Sequence, residues 1–191
     1  MRLFIMGESR FAATFLRAAL AGGHEVLAVC ATSEPHPADP LTPAAKSAGL
    51  AVIPAWSIMG GAEHIIKQSG AELLVLANVG RIIPPRVLAA APRGAICFHP
   101  SLLPKYRGKR SVADAVKAGE SQTGVTIFWP DEGADTGPVL FQVPVTIAGG
   151  ESPAALYHDK LVPVGVYLMM AAVSAIAAGC APRTPQPEVL S

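Results

Sequence analysis

Five apolar residues follow one another without interruption in Leu73-Leu74-Val75-Leu76-Ala77. A run of this length without alternation is typical of a β-strand that is buried on both faces of a parallel sheet. Similar short apolar runs lie on either side of it along the chain, and helical segments separate them. The other strands predicted here are 3–6, 25–30, 51–53 and 94–98, and the predicted helices are 10–21, 42–49, 61–69 and 84–90.

Strands and helices that alternate at this spacing predict an α/β fold with a doubly wound, mostly parallel sheet. After Gly124 the pattern changes to two strands at 125–129 and 139–143, followed by a long helix at 153–178. We expect one domain over residues 1–180 and then a proline-rich tail at 181–191. A proline-rich loop is expected at 35–43.

The first strand is followed by a single glycine, Gly7, and not by a G-x-G-x-x-G sequence or a P-loop. Both nucleotide-binding motifs need further glycines to bring the backbone close to phosphate groups. We therefore interpret Gly7 as part of a tight turn from strand to helix, and expect neither an NAD site nor an ATP site there.

The charge balance limits the partners of the protein. The 191 residues include 15 Lys and Arg and 14 Asp and Glu, which gives a formal net charge of +1. This balance argues against binding to nucleic acid or to an anionic membrane through bulk charge. The three cysteines are too far apart for a zinc or redox motif and suit a reducing compartment. Because the first apolar run is too short for a signal peptide, we expect a cytoplasmic protein.

Residues 161–179 carry no formal charge and are nearly long enough to span a bilayer. Pro163 and Gly165 lie near the start of this segment, and three polar residues precede it. We predict a helix that is buried or faces a partner, with a homodimer as one form of that partner. A membrane span is the alternative.

His99 follows Cys97 at the end of the strand predicted at 94–98. The carboxyl ends of strands in open α/β sheets are where ligands bind. If residues 97–99 are extended, both side chains point to the same side, where a thiol and an imidazole could meet one substrate atom. The alternative is a small buried cysteine and an ordinary loop histidine.

The loop Asp131-Glu132-Gly133-Ala134-Asp135-Thr136-Gly137 supplies a second set of polar groups. Its two glycines let the backbone approach a ligand, and Asp135 could orient or charge His99 if the loops converge. The alternative is a turn whose acids are solvated. Asp-Thr-Gly also occurs in aspartic proteases, but that mechanism needs a second such carboxylate, and the chain has no second Asp-Thr-Gly.

Together these motifs resemble the folate-dependent formyltransferase family. The resemblance is carried by His99-Pro100-Ser101-Leu102-Leu103-Pro104-x-x-Arg107-Gly108, by Asp131-x-Gly133-x-Asp135-Thr136-Gly137, and by a tail that reads Ala181-Pro182-Arg183-x-Pro185-Gln186-Pro187-Glu188. The chain is most similar to the hydrolase domain of 10-formyltetrahydrofolate dehydrogenase. Methionyl-tRNA and glycinamide ribonucleotide formyltransferases belong to the same family, and the likeness covers most of the chain.

The resemblance implies a doubly wound sheet that binds 10-formyltetrahydrofolate, the formyl donor, and it implies no metal. The implied catalytic residues are His99, Asp135 and Cys97. The implied folate contacts are Leu76, Ala77, Asn78, Ser101, Leu102, Leu103, Pro104, Asp131, Glu132, Gly133, Ala134 and Asp135.

Cys97 departs from the family pattern, because the transferases usually carry Asn at this position, whereas the dehydrogenase's hydrolase domain also lacks it. An amide N–H is a good donor to the oxyanion that forms on the formyl group, and a thiol is a weak one. A second hypothesis has Cys97 attack the formyl group itself, activated by His99.

We therefore predict formyl transfer from 10-formyltetrahydrofolate to a small amine, in which His99 stabilises the oxyanion and Asp135 holds His99. Hydrolysis of the donor by water is the alternative, and a folate-binding module without activity is a third. No nucleic-acid partner is expected, because the charge is near neutral and the given sequence ends before the C-terminal domain of the family's larger members. No membrane partner is expected either.

Overall fold

The computed structural model describes residues 1–32, 39–58 and 60–187. Residues 35–38 of the loop expected at 35–43 and residues 188–191 of the expected tail lie outside these residues. The loop prediction is wrong at 41–43, where a helix begins at Leu41. The chain divides into two compact units, Met1–Cys97 and Phe98–Ser191. The expectation of one domain over residues 1–180 stays a prediction.

The first unit is a parallel sheet whose strands run in the order β3-β2-β1-β4-β5. Its register places Leu3 opposite Leu73 and Leu76 opposite Cys97. The elements are β1 (Arg2–Gly7), α1 (Ser9–Ala21), β2 (Glu25–Ala31), α2 (Leu41–Ser47), β3 (Ala51–Ile53), a 3₁₀ turn (Ala55–Ile58), α3 (Ala62–Ser69), β4 (Leu73–Ala77), α4 (Pro85–Leu88) and β5 (Ala95–His99), whose last two residues belong to the second unit.

The core of the first unit explains why these segments fold as they do. All five residues of β4 are buried, as the uninterrupted apolar run predicts. Helix α1 buries one face, including Phe11 and Phe15. A Cβ on Gly7 would collide with the carbonyl oxygen of Ala77, so only glycine lets the β1–α1 turn pass this close to β4. The interpretation of Gly7 as a tight turn is confirmed.

The second unit is built on an antiparallel pair of strands covered by a helix. Strands β6 and β7 pair with Gln122 opposite Thr146. The long helix packs on both strands and buries Val162, Leu168 and Val173 on one face. After the end of β5, the elements are α5 (Ser111–Lys117), β6 (Gln122–Phe128), β7 (Val139–Thr146), α6 (Pro153–Ala155), a π-helical segment (Leu156–Leu161) and α7 (Val162–Ala177).

The predicted α/β fold with a mostly parallel sheet is confirmed, and several local predictions are wrong. Strand β6 begins at Gln122 and ends at Phe128, whereas we expected 125–129. Strand β7 ends at Thr146 and not at residue 143, because it pairs with β6 as far as Gln122. Helix α5 was not expected. The helix expected at 153–178 is interrupted by the π-helical segment, which ends at Leu161, two residues before Pro163. Proline lacks the N–H that a regular helix needs.

The helical run Pro153–Ala177 is long and apolar enough to cross a membrane by length and composition alone. Its most apolar window has a mean hydropathy of 1.8, and 44% of that window is buried inside the protein. A core helix of a soluble protein meets the same criteria. A buried or partner-facing helix and a membrane span, the two alternatives for residues 161–179, are both compatible with these values.

Candidate functional site

His99 is the last residue of β5 and belongs to the second unit. Other groups of this unit lie close to both of its ring nitrogens. Nε2 lies 2.8 Å from the carbonyl oxygen of Tyr106. Because a carbonyl oxygen only accepts, Nε2 carries a proton and donates it. Nδ1 lies 3.4 Å from Oδ2 of Asp135, and the His99 side chain is only 7% exposed. The Nδ1 side of the ring is therefore the side on which His99 can exchange a proton.

Asp135 has an unusual backbone conformation, and a hydrogen bond fixes its carboxylate. Its φ angle is +57°, in the left-handed region that Asp and Asn tolerate better than most residues. Oδ2 accepts a 2.8 Å hydrogen bond from the backbone N–H of Gly108 and faces His99 at the same time. The side chain is 21% exposed, so the carboxylate lies at the edge of the protein where a substrate could reach it. The two motifs therefore converge, which is the condition for Asp135 to orient His99, and the catalytic roles of both residues stay a prediction.

Residues 131–134 and Thr136 of this loop are exposed, and hydrogen bonds within the loop hold the side chain of Asp131. Oδ1 of Asp131 accepts from the backbone N–H of Gly133 at 3.0 Å and from the hydroxyl of Thr136 at 2.6 Å. Glu132 and Ala134 lie exposed beside them. The turn is therefore preformed, and folate contacts by these residues stay a prediction.

The segment from Ser101 to Pro104 is fixed by hydrogen bonds within the second unit. Ser101 is fully buried and donates to the carbonyl oxygen of Lys105 at 2.6 Å. The Thr126 hydroxyl donates to the carbonyl oxygen of Ser101 at 2.7 Å and accepts from the N–H of Leu103 at 3.2 Å. The side-chain amide of Gln142 donates to the carbonyl oxygen of Leu103 at 3.0 Å.

These bonds use the polar groups of Ser101 and Leu103, so the segment is a rigid turn. Leu102 and Pro104 are half-buried and are the members that could contact a ligand through apolar surface. Folate binding by the four residues stays a prediction.

The remaining predicted site residues belong to the first unit. Leu76 and Ala77 are buried at the carboxyl end of β4, and Leu76 is paired in register with Cys97 on β5. Asn78 follows β4 with φ at +62°, and its amide donates a 2.8 Å hydrogen bond to the hydroxyl of Ser9. Cys97 is 8% exposed. The predicted roles of these four residues are not tested by this geometry.

A cavity of about 460 Å³ lies in the second unit beside Tyr106 and is lined also by Leu102, Lys105 and Glu120. The Tyr106 hydroxyl donates a 2.9 Å hydrogen bond to Oε1 of Glu120. This bond, together with the charge of Lys105, lowers the pKa of Glu120, and it raises the pKa of Tyr106. The side chain of Tyr106 is therefore anchored while its carbonyl oxygen accepts from His99.

Four residues contribute to the site that we did not assign from the sequence. Tyr106 and Gly108 act through backbone groups, which no side-chain pattern reveals, although both lie in the quoted motif. Thr126 orders the turn after β5. Gln186 of the tail donates to the carbonyl oxygen of Asp135 at 2.9 Å. The resemblance of the tail to the family indicated Gln186, but it did not predict the hydrogen bond to Asp135.

Within residues 1–32, 39–58 and 60–187, no group of three or more His, Cys, Asp and Glu side chains is arranged to hold a metal ion.

Comparison with known proteins relates the whole chain to one family. A sequence model described as formyl transferase matches residues 1–172. The chain is 36% identical to mitochondrial 10-formyltetrahydrofolate dehydrogenase of Mus musculus over 98% of its length. It is 37% identical to methionyl-tRNA formyltransferase of Bordetella petrii, also over 98%. The chain spans 21% of the first relative and 63% of the second.

A crystal structure of glycinamide ribonucleotide transformylase 1 from Symbiobacterium toebii has the same fold. The TM-score is 0.81 at 22% identity, and the match covers 97% of this chain and 93% of that one.

Proposed function

Because this chain belongs to the formyl transferase family, we propose that it transfers the formyl group of 10-formyltetrahydrofolate to a small amine. One observation carries the proposal. The buried His99 donates from Nε2 to the carbonyl oxygen of Tyr106 and presents Nδ1 to the Asp135 carboxylate at 3.4 Å. A histidine oriented in this way by a carboxylate is suited to acid–base catalysis at a carbonyl carbon.

In the proposed reaction, the amine nitrogen attacks the formyl carbon and the carbonyl electron pair moves to oxygen. Collapse of this intermediate breaks the bond to N10, so the products are a formamide and tetrahydrofolate. Protonated His99 stabilises the oxyanion and gives a proton to N10 as it leaves. Asp135 accepts the proton that the amine loses, directly or through water, and returns it to His99.

Hydrolysis of 10-formyltetrahydrofolate to formate and tetrahydrofolate is the second candidate, and Cys97 favours it. A thiol is a weak donor to an oxyanion, and Cys97 stands where the transferases usually carry an amide side chain. The similarity to a 10-formyltetrahydrofolate dehydrogenase over 98% of the chain supports the same candidate. In this reaction water replaces the amine, and His99 and Asp135 keep their roles.

We also propose that the protein acts in the cytoplasm on a small acceptor, without nucleic acid or membrane, and that two copies associate through the apolar residues 161–179. Tyr167, which is 75% exposed on α7, supports an uncovered face on this helix.

The test is a time course of tetrahydrofolate release from 10-formyltetrahydrofolate by the purified protein, without amine and then with a panel of amino sugars and amino acids. Release that requires an amine supports transfer and identifies the acceptor class. Release at the same rate without amine supports hydrolysis instead. Tight folate binding without release would overturn both and leave a binding module.

The matched control compares two histidines. His99→Asn should abolish release, whereas His64→Asn should not change it, because the side chain of His64 is 75% exposed on α3. Equal rates in the two variants would remove His99 from the mechanism.

A further inference from the structure

The tail is docked against the strands of the second unit by three kinds of contact. The indole N–H of Trp129 donates a 2.9 Å hydrogen bond to the carbonyl oxygen of Pro182. The guanidinium carbon of Arg183 lies 3.8 Å from the centre of the Trp129 ring, which is a cation–π contact. Thr184 forms an antiparallel bridge with Val139 at the start of β7. These contacts fix the path of the tail up to Gln186.

The side chain of Gln186 joins the two motifs that form the candidate site. Its Nε2 donates to the carbonyl oxygens of Asp135 at 2.9 Å and Gly137 at 2.7 Å. Its Oε1 accepts from Nη2 of Arg107 at 2.7 Å. Arg107 lies between Tyr106, which accepts from His99, and Gly108, which donates to Asp135. The amide therefore uses both donors and its acceptor within the site.

These bonds bear on Asp135, because no strand or helix holds its backbone. Asp135 lies in the loop between β6 and β7 with φ at +57°. The direction of its carboxylate depends on where its own carbonyl and that of Gly137 are held. Both carbonyls are bonded to one amide group of the tail. Loss of that amide would let the loop relax and change the distance between Oδ2 and Nδ1 of His99.

We propose that Gln186 is a positioning residue, which fixes Asp135 and through it His99 in the geometry needed for formyl transfer. Gln186 acts through these residues and does not touch the reacting atoms. The kinetic test of this proposal rests on the proposed function, because it measures the rate of tetrahydrofolate release.

The experiment compares wild type with Gln186→Ala, Gln186→Glu and the control Thr184→Ala. Gln186→Glu keeps the size of the side chain and the acceptor for Arg107 but, when ionised, donates to neither carbonyl. Thr184→Ala changes an exposed residue of the same tail and keeps its backbone bridge. We expect both Gln186 variants to lower kcat by up to about 100-fold, because misplacing a catalytic group by about 1 Å can cost that much. Thr184→Ala should keep the kcat, the melting temperature and the Kd of tetrahydrofolate of wild type.

A second readout is independent of turnover: the ¹H–¹⁵N NMR signals of the His99 ring should shift in both Gln186 variants and not in Thr184→Ala. Wild-type kcat in Gln186→Ala, or a loss no larger than in Thr184→Ala, would overturn the inference. If the wild-type protein shows no turnover, the proposed function fails. The NMR signals then decide the inference alone, and unshifted signals would overturn it.

Discussion

Replacing Asp135 with Asn tests the proposed role of the carboxylate with little disturbance of the fold. Asn also tolerates the positive φ of +57°, and its side-chain oxygen can still accept from the N–H of Gly108. What is lost is the negative charge 3.4 Å from Nδ1 of His99. Ala would be a poorer choice, because a left-handed backbone costs it about 1–2 kcal/mol.

The distance sets the size of the effect. Two unit charges at 3.4 Å attract each other by about 5 kcal/mol at an effective dielectric constant of about 20. Because the Asp135 side chain is 21% exposed, water screens part of this attraction. If about 3–4 kcal/mol of it acts in the transition state, kcat falls about 10²- to 10³-fold. The melting temperature should fall by less than about 4 °C, since a partly exposed ion pair contributes roughly 0–1 kcal/mol.

The assay is steady-state release of tetrahydrofolate, together with thermal unfolding and equilibrium binding of tetrahydrofolate. The matched control is Asp114→Asn on α5, where the same change removes a surface pair with Arg110 at 3.7 Å. We expect this control to keep kcat within about twofold. A kcat for Asp135→Asn within threefold of wild type would refute the reasoning.

Three further changes test the structure around the site. Thr126→Val removes a buried hydroxyl that bonds three groups and should lower the free energy of unfolding in urea by about 2 kcal/mol or more. Gly137→Ala introduces a Cβ that collides with the carbonyl oxygen of Trp129 and should lower the same quantity by about 1–3 kcal/mol. The pKa of Glu151 is lowered by its 2.8 Å hydrogen bond from Lys160, so Glu151→Gln should reduce stability at pH 7 and converge with wild type in acid.

The sign of the last prediction follows from the direction of the pKa shift. A carboxyl group with a lowered pKa in the folded state stabilises it above the unfolded pKa, and this is lost as pH falls through the folded pKa. The difference between wild type and Glu151→Gln should therefore shrink below about pH 4.5, the ordinary value for Glu. A difference that grows in acid would contradict the assignment. Unchanged unfolding curves for Thr126→Val and Gly137→Ala would contradict the predictions made for these two variants.

The strands of the first unit could be predicted because buried parallel strands are local apolar runs. Leu73 to Ala77 needed no partner to be recognised, and the structure places the strand at those five residues. The limits of β6 could not be predicted in the same way, because pairing decides them. Gln122 is exposed and polar, and it joins the strand because Thr146 of β7 lies opposite.

In the candidate site, too, the functional side chains could be predicted from the sequence, whereas their tertiary contacts could not. His99 and Asp135 could be singled out, because an imidazole at a strand end and an acid in a glycine-rich loop are chemically distinctive. Their partners are the carbonyl oxygen of Tyr106 and the N–H of Gly108, which every non-proline residue has. Gln186 reaches Asp135 from 51 residues away, and only the path of the tail reveals that contact.

A single-turnover experiment tests the central claim most directly. Wild type and His99→Asn are each mixed in excess with 10-formyltetrahydrofolate that carries a labelled formyl group, in the presence of an accepted amine, and the label is followed. The account predicts that wild type moves the label to the amine, and that His99→Asn does so at least about 100-fold more slowly. Equal rates in the two proteins, or a label that stays on the donor in both, would contradict it.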